Sequence, residues 1–199
     1  HEPCDGFVGQ RTLGHRPEPA SDSQRIVIDA RPYPQEGTES LALEMVSLNH
    51  AGWKRFVLLH CRGHRFIGNG FGPDTSDVRI DVFGAIGDYL GSGSDGMKVH
   101  MHGNAQDQVA QIHKSGELVV HGDVGQCYGY GAKGGRLFVQ GNAAGRPMIN
   151  GSSKLSSTIR APRMTGARMP GLKIGKVTRR NVVRGEAPDA ALAIIWQTL

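Results

Sequence analysis

The chain is poor in the residues from which many compact sites are assembled. Its three cysteines, Cys4, Cys61 and Cys127, lie far apart and form no C-x-x-C pair, which signals neither a disulfide framework nor a cysteine-rich metal site and suits a reducing compartment. No apolar run approaches the roughly 18 residues of a membrane span, and the N-terminus lacks the basic-then-apolar pattern of a secretory leader. The expectation is a soluble, cytoplasmic protein with no membrane partner. The chain opens at His1 and not at methionine, as a processed product or a fragment does.

Glycine is the residue in excess. There are 29 among 199 residues, about twice the average share of roughly 7%, and they lack the every-third-residue period of collagen. With 38% hydrophobic residues the chain can bury a core, so the glycines must serve special backbone turns. Charge is also uneven. Residues 152–199 carry nine Lys/Arg against two Asp/Glu, a local +7 within a net +5, so the basic character belongs to the C-terminal segment.

Gly84, Gly103, Gly122 and Gly141 follow one another at intervals of 19 residues, with Gly63 a slightly longer step upstream. Two residues before each stand Cys61, Val82, Met101, Val120 and Val139, and four before stand Leu59, Ile80, Val99, Leu118 and Leu137. Directly before the glycine the residue is polar, Arg62, His102, His121 and Gln140, with Phe83 the exception. Alternation of period two marks strands with one buried face. A unit this short cannot bury its apolar face alone, so consecutive units must stack. The fold expected is mainly all-β: a parallel β-helix, or solenoid, of about five 19-residue turns.

Ahead of the repeat, Arg25 to Arg31 reads as a strand, Thr38 to Ala51 as a helix capped by Thr38 and ended by Gly52, and Phe56 to Cys61 as a second strand. This strand–helix–strand unit caps the first rung. Three regions result: residues 1–24 as an extended N-terminal arm, 25–151 as the solenoid with its cap, and 152–199 as an irregular basic tail.

Gly129-Tyr130-Gly131-Ala132-Lys133-Gly134 fits the G-x-G-x-x-G fingerprint of a dinucleotide-binding turn. That fingerprint needs a helix of at least ten residues behind it. Here it occurs twice, at Gly91 to Gly96 and Gly129 to Gly134, two repeat periods apart, and each copy runs into a strand. The structural reading is therefore preferred. Gly63, Gly84, Gly87, Gly91, Gly93, Gly103, Gly122, Gly125, Gly129, Gly131 and Gly141 are read as turn glycines, needed for positive φ at corners and for close approach of rungs.

The segments Gly63 to Phe71, Gly84 to Gly96, Gly103 to Val109 and Gly122 to Ala143 resemble the GXGXG domain, the C-terminal β-helical domain of the glutamate synthase large subunit, also known as a separate protein. A similar fold occurs in the β-helical subunit of formylmethanofuran dehydrogenase. The resemblance covers about residues 25–150 and implies a right-handed β-helix with an architectural role and no catalytic residue. It implies further that no cofactor is bound by this chain and that partner subunits carry flavin or iron–sulfur clusters. The tail departs from the family pattern, which continues with regular turns.

Few residues read as chemistry. His102 and His121 share an offset on consecutive rungs, so they should stack about 4.8 Å apart on the outer face, with His100 two residues away. No carboxylate or cysteine joins them at a metal-ligand spacing, so a solvated or partner-covered ladder is preferred to a metal site. Cys61 sits at an inward offset and reads as core, while Cys127 lies in a corner. Asp88, Asp107 and Asp123 recur at corners, where carboxylates accept from local backbone N–H groups. In the tail, Arg160, Arg163, Arg168, Arg179, Arg180 and Trp196 are candidates for docking on an acidic partner subunit. The basic run lacks aromatic residues for base stacking, so nucleic acid is the lesser reading. The function expected is a non-catalytic scaffold in a glutamate-synthase-like oxidoreductase complex. The alternatives are a one-carbon complex of the formylmethanofuran dehydrogenase or formyltransferase/hydrolase type, and a nucleic-acid-binding module.

Overall fold

The computed structural model describes residues 7–8, 18–152 and 154–159. Eight strands run in parallel and pair in sequence order: β1 (Phe7–Val8), β2 (Arg25–Asp29), β3 (Arg55–His64), β4 (Arg79–Ile86), β5 (Asp95–His102), β6 (Ser115–Val120), β7 (Arg136–Val139) and β8 (Ser156–Ile159). Parallel neighbours in sequence order, joined from β3 onward by segments that contain no helix, define a β-solenoid of about five turns.

The inward column is the apolar set that the period-two alternation exposes. Ile80, Val99, Leu118 and Leu137 stand in register, as do Val82, Met101, Val120 and Val139, and all are buried. A second wall is made by the bridges linking Ile86, Ala105, Val124 and Ala143. Leu90, Val109 and Tyr128 fill the third side of the same core.

Near that third side the backbone takes an unusual form. Tyr89, Gln108, Cys127 and Arg146 all have φ between 58° and 65°, and so, two residues on, do Gly91, Ala110, Gly129 and Met148, at 56° to 64°. A third column, Gly93, Ile112, Gly131 and Asn150, lies at 54° to 70°. Alternate left-handed residues send their N–H groups to the neighbouring rungs: Gly131 N donates to Ile149 O at 2.7 Å, and Gly129 N to Val109 O at 2.8 Å. The G-x-G spacing therefore satisfies the backbone between rungs. The segment Gly129 to Gly134 leads into β7 and not into a helix, so the dinucleotide fingerprint has no helix N-terminus to offer a phosphate.

The cap is a β-α-β unit. Helix α1 (Leu41–His50), which connects the parallel strands β2 and β3, buries Leu41, Ala42, Met45 and Leu48. Its N-cap is Ser40, two residues after the expected Thr38, and Ser40 makes no side-chain capping bond. Gly52, at φ 103°, follows the helix as expected, and Asn49 Nδ2 ties the exit by donating to Trp53 O at 2.9 Å.

The first rung departs from the 19-residue register. Phe56 pairs with Ile80 and Leu58 with Val82, while Cys61 lies opposite Gly84. Leu58 is thus the inward residue, and Leu59, expected there, is only half-buried. An irregularity between Leu58 and Cys61, with His60 at φ 58°, displaces the offset. Both ends of the solenoid also run further than expected. Phe7–Val8, inside the supposed arm, pairs with β2, and β8 lies inside the supposed tail. The period hid β8 because Val139 pairs with Ile159, a step of 20 residues that puts the strand out of phase. The docking candidates Arg160, Arg163, Arg168, Arg179, Arg180 and Trp196 lie outside the described residues. Among the described residues no helix is long and apolar enough to cross a membrane.

Candidate functional site

Residues that alternate with the core column point outward, and parallel register stacks them into columns. On β4, β5 and β6 three columns lie side by side. One holds Arg79, Lys98, Glu117 and Arg136; the next Asp81, His100, Val119 and Phe138; the last Phe83, His102 and then His121, just past β6. His121 N donates to Met101 O at 2.9 Å, which continues the register beyond the strand.

The last column is an aromatic stack. Phe83 lies 4.3 Å from His102 between ring centroids, and His102 lies 4.8 Å from His121, with planes within 9° of parallel. His100 sits beside both at 6.3 Å, tilted by 39° and 47°. One ring nitrogen from each of the three histidines falls within 4.8 Å of the others. Phe83, an exception to polar alternation in the sequence, provides the apolar face on which the stack begins.

Carboxylates do join these histidines, contrary to the reading of the sequence. His102 Nε2 lies 3.3 Å from Asp81 Oδ1, and His100 Nε2 lies 3.6 Å from Glu117 Oε1. The acids are themselves held: Arg79 Nε donates to Asp81 at 2.7 Å, and Arg136 pairs with Glu117 at 3.0 Å. His121 Nδ1 is 3.2 Å from Gln140 Oε1. The acids were missed because they stand three and five residues before the repeat glycine, in columns that linear metal-ligand spacing does not scan. The 19-residue register that aligns Asp81 with His100 was available to reveal them.

The electrostatics follow from burial and pairing. Burial pushes the Asp81 carboxyl up, but hydrogen bonds from His102 and Arg79 outweigh it and hold the group well below the usual carboxylate range. The His100 imidazole beside it lowers Glu117, with burial opposing and Arg136 assisting. Burial lowers His121, so it favours the neutral imidazole. His100 and Glu117 are almost fully buried, and His102 and His121 half-buried. An imidazole with one nitrogen held by an acceptor presents the other as a lone pair, the arrangement in which histidine ligates metals.

The other titratable candidates separate clearly. Cys61 is buried, and desolvation with the Asp29 carboxylate nearby pushes its thiol up to about 12, which leaves it unreactive. Cys127 occupies a left-handed corner and is half-buried. Asp88 accepts from Asp107 N at 3.1 Å, Asp107 from Gln126 N at 2.8 Å, and Asp123 from Asn142 N at 2.6 Å. Each of these acids caps the next rung and not its own turn, a correction that makes them inter-rung clamps. His113, which drew no attention in the sequence, is completely buried, 2.5 Å from Ser94 Oγ through Nδ1, and burial lowers it to about 4.

The described residues form a parallel β-solenoid with a histidine–carboxylate face. Compared with known proteins it matches no family model, no curated protein and no solved structure.

Proposed function

We propose that this chain is a non-catalytic scaffold subunit or domain of a glutamate-synthase-like multi-subunit oxidoreductase, whose solenoid holds separate catalytic subunits at a fixed separation. The observation that supports this reading is the repetitive backbone. Left-handed residues two apart recur in every rung from Tyr89 onward, and their N–H groups bond to the rungs on either side. Five rungs at roughly 4.8 Å each form a stiff element roughly 20–25 Å long, with side walls for contacts. The G-x-G spacings on which the resemblance rests, Gly91 with Gly93 and Gly129 with Gly131, fall in these columns. In this reading flavin and iron–sulfur clusters reside in the partner subunits.

The test is a native pull-down from the source cell at moderate salt, with mass-spectrometric identification of what stays bound. Flavin-barrel or amidotransferase subunits are expected. Amidohydrolase or molybdopterin subunits would move the chain to a one-carbon complex, and recovery of the protein alone would end the scaffold reading.

A further inference from the structure

We propose that His100, His102 and His121 form a three-histidine zinc site on the outer face of β5 and β6, with Asp81, Glu117 and Gln140 orienting the ligands. The proposal is independent of the scaffold reading.

Three observations carry it. The first is convergence: one ring nitrogen of each histidine already lies within 4.8 Å of the others. Three nitrogens around a tetrahedral zinc at 2.0–2.1 Å stand roughly 3.3 Å apart. Closing that gap takes rotation of the stacked His102 and His121 rings out of parallel, so that their lone pairs aim at one point. The terminal ring torsion of histidine is broad, and such rotation needs no backbone movement.

The second is the outer ring of acceptors. Asp81 faces His102, Glu117 faces His100 and Gln140 faces His121, each on one nitrogen. Acceptors of this kind fix the tautomer of metal-bound imidazoles and raise their basicity. Arg79 and Arg136 anchor the two acids, so the ring is itself held in place. With both carboxylates committed to arginine and imidazole, the inner set is three neutral nitrogens, a donor set suited to zinc and unsuited to calcium or magnesium.

The third is an orphan atom. His121 Nε2 is buried and has no hydrogen-bond partner among the described residues. Its Nδ1 donates to Gln140 Oε1 in the neutral ring, which leaves Nε2 as an unshared lone pair out of contact with water. Buried polar atoms are nearly always satisfied, and a metal ion between the three rings satisfies this one. The fourth zinc position is left for water or for a group from a partner.

The full chain, stripped with chelator and titrated with zinc chloride in the calorimeter, is expected to bind one equivalent. His121→Gln should weaken binding by at least about tenfold, and Gln140→Ala, which touches no ligand atom, by about tenfold as an orienting loss. Cobalt(II) added to the unaltered protein should give the visible absorption of a tetrahedral nitrogen site, a readout that survives if a variant does not fold. No zinc uptake by the unaltered chain overturns the proposal. So does uptake that His102→Gln and His121→Gln leave unchanged, since the ion would then lie elsewhere.

Discussion

Two glycines that look alike in the repeat should respond very differently to one methyl group. A Cβ on Gly122 would stand 2.6 Å from Gly103 O and 2.8 Å from its carbonyl carbon, and would overlap Asn104 Oδ1. None of these neighbours can move freely. Gly103 O accepts from Gly122 N at 3.1 Å, and Asn104 Oδ1 accepts from Asp123 N at 2.9 Å. Overpacking of this kind costs about 1–3 kcal/mol, and each of the two inter-rung bonds, weakened and not lost, about 0.5 kcal/mol, so Gly122→Ala should lose about 2–4 kcal/mol. Gly131 has φ 64° with nothing within 4 Å of an added Cβ. There the penalty is the left-handed backbone, about 1–2 kcal/mol, less about 0.4–1 kcal/mol gained by restricting the unfolded chain. For a chain of this size 1 kcal/mol moves Tm by about 2–4 °C. Thermal melts followed by far-ultraviolet circular dichroism should therefore show Gly122→Ala lower by about 4–16 °C and Gly131→Ala by no more than about 6 °C. Equal losses, or a harmless Gly122→Ala, would refute the assignment of one glycine to rung contact and the other to backbone conformation.

Ile112, a β-branched residue at φ 54° and half exposed, invites a reversal of the usual order. Ile112→Gly should be more stable than Ile112→Ala by about 0.5–1 kcal/mol in urea denaturation, because both lose the side chain beyond Cβ and only glycine is relieved of the left-handed penalty. His113, neutral and lowered to about 4 by burial, binds its proton more readily in the unfolded chain. Its contribution is fully present above the unfolded value of about 6.5 and lost as pH falls to about 4, roughly 3 kcal/mol in all. His113→Gln should flatten that part of a urea-stability profile measured between pH 4 and 7, and an unchanged slope would rule out His113 as its source.

Much of this architecture was legible because a solenoid is locally encoded. A period of 19 residues and an alternation of two give the inward columns from Ile80 to Val139 directly, and they forecast the 4.8 Å stacking of His102 on His121. What escaped was whatever broke the period. The irregularity between Leu58 and Cys61 and the 20-residue step to β8 each shift the phase, and the expected boundaries failed there. A backbone correction of one residue leaves no mark in composition.

The sequence by itself determined the repeat, the apolar face and the places where glycine is needed, since each depends on residues a few positions apart. Only the tertiary structure decided which outward side chains meet. Asp81 and His102 are 21 residues apart in the chain and 3.3 Å apart in space, and Glu117 on β6 reaches His100 on β5. Register between neighbouring rungs, which sums every turn length before it, turns an ordinary surface acid into the partner of a histidine.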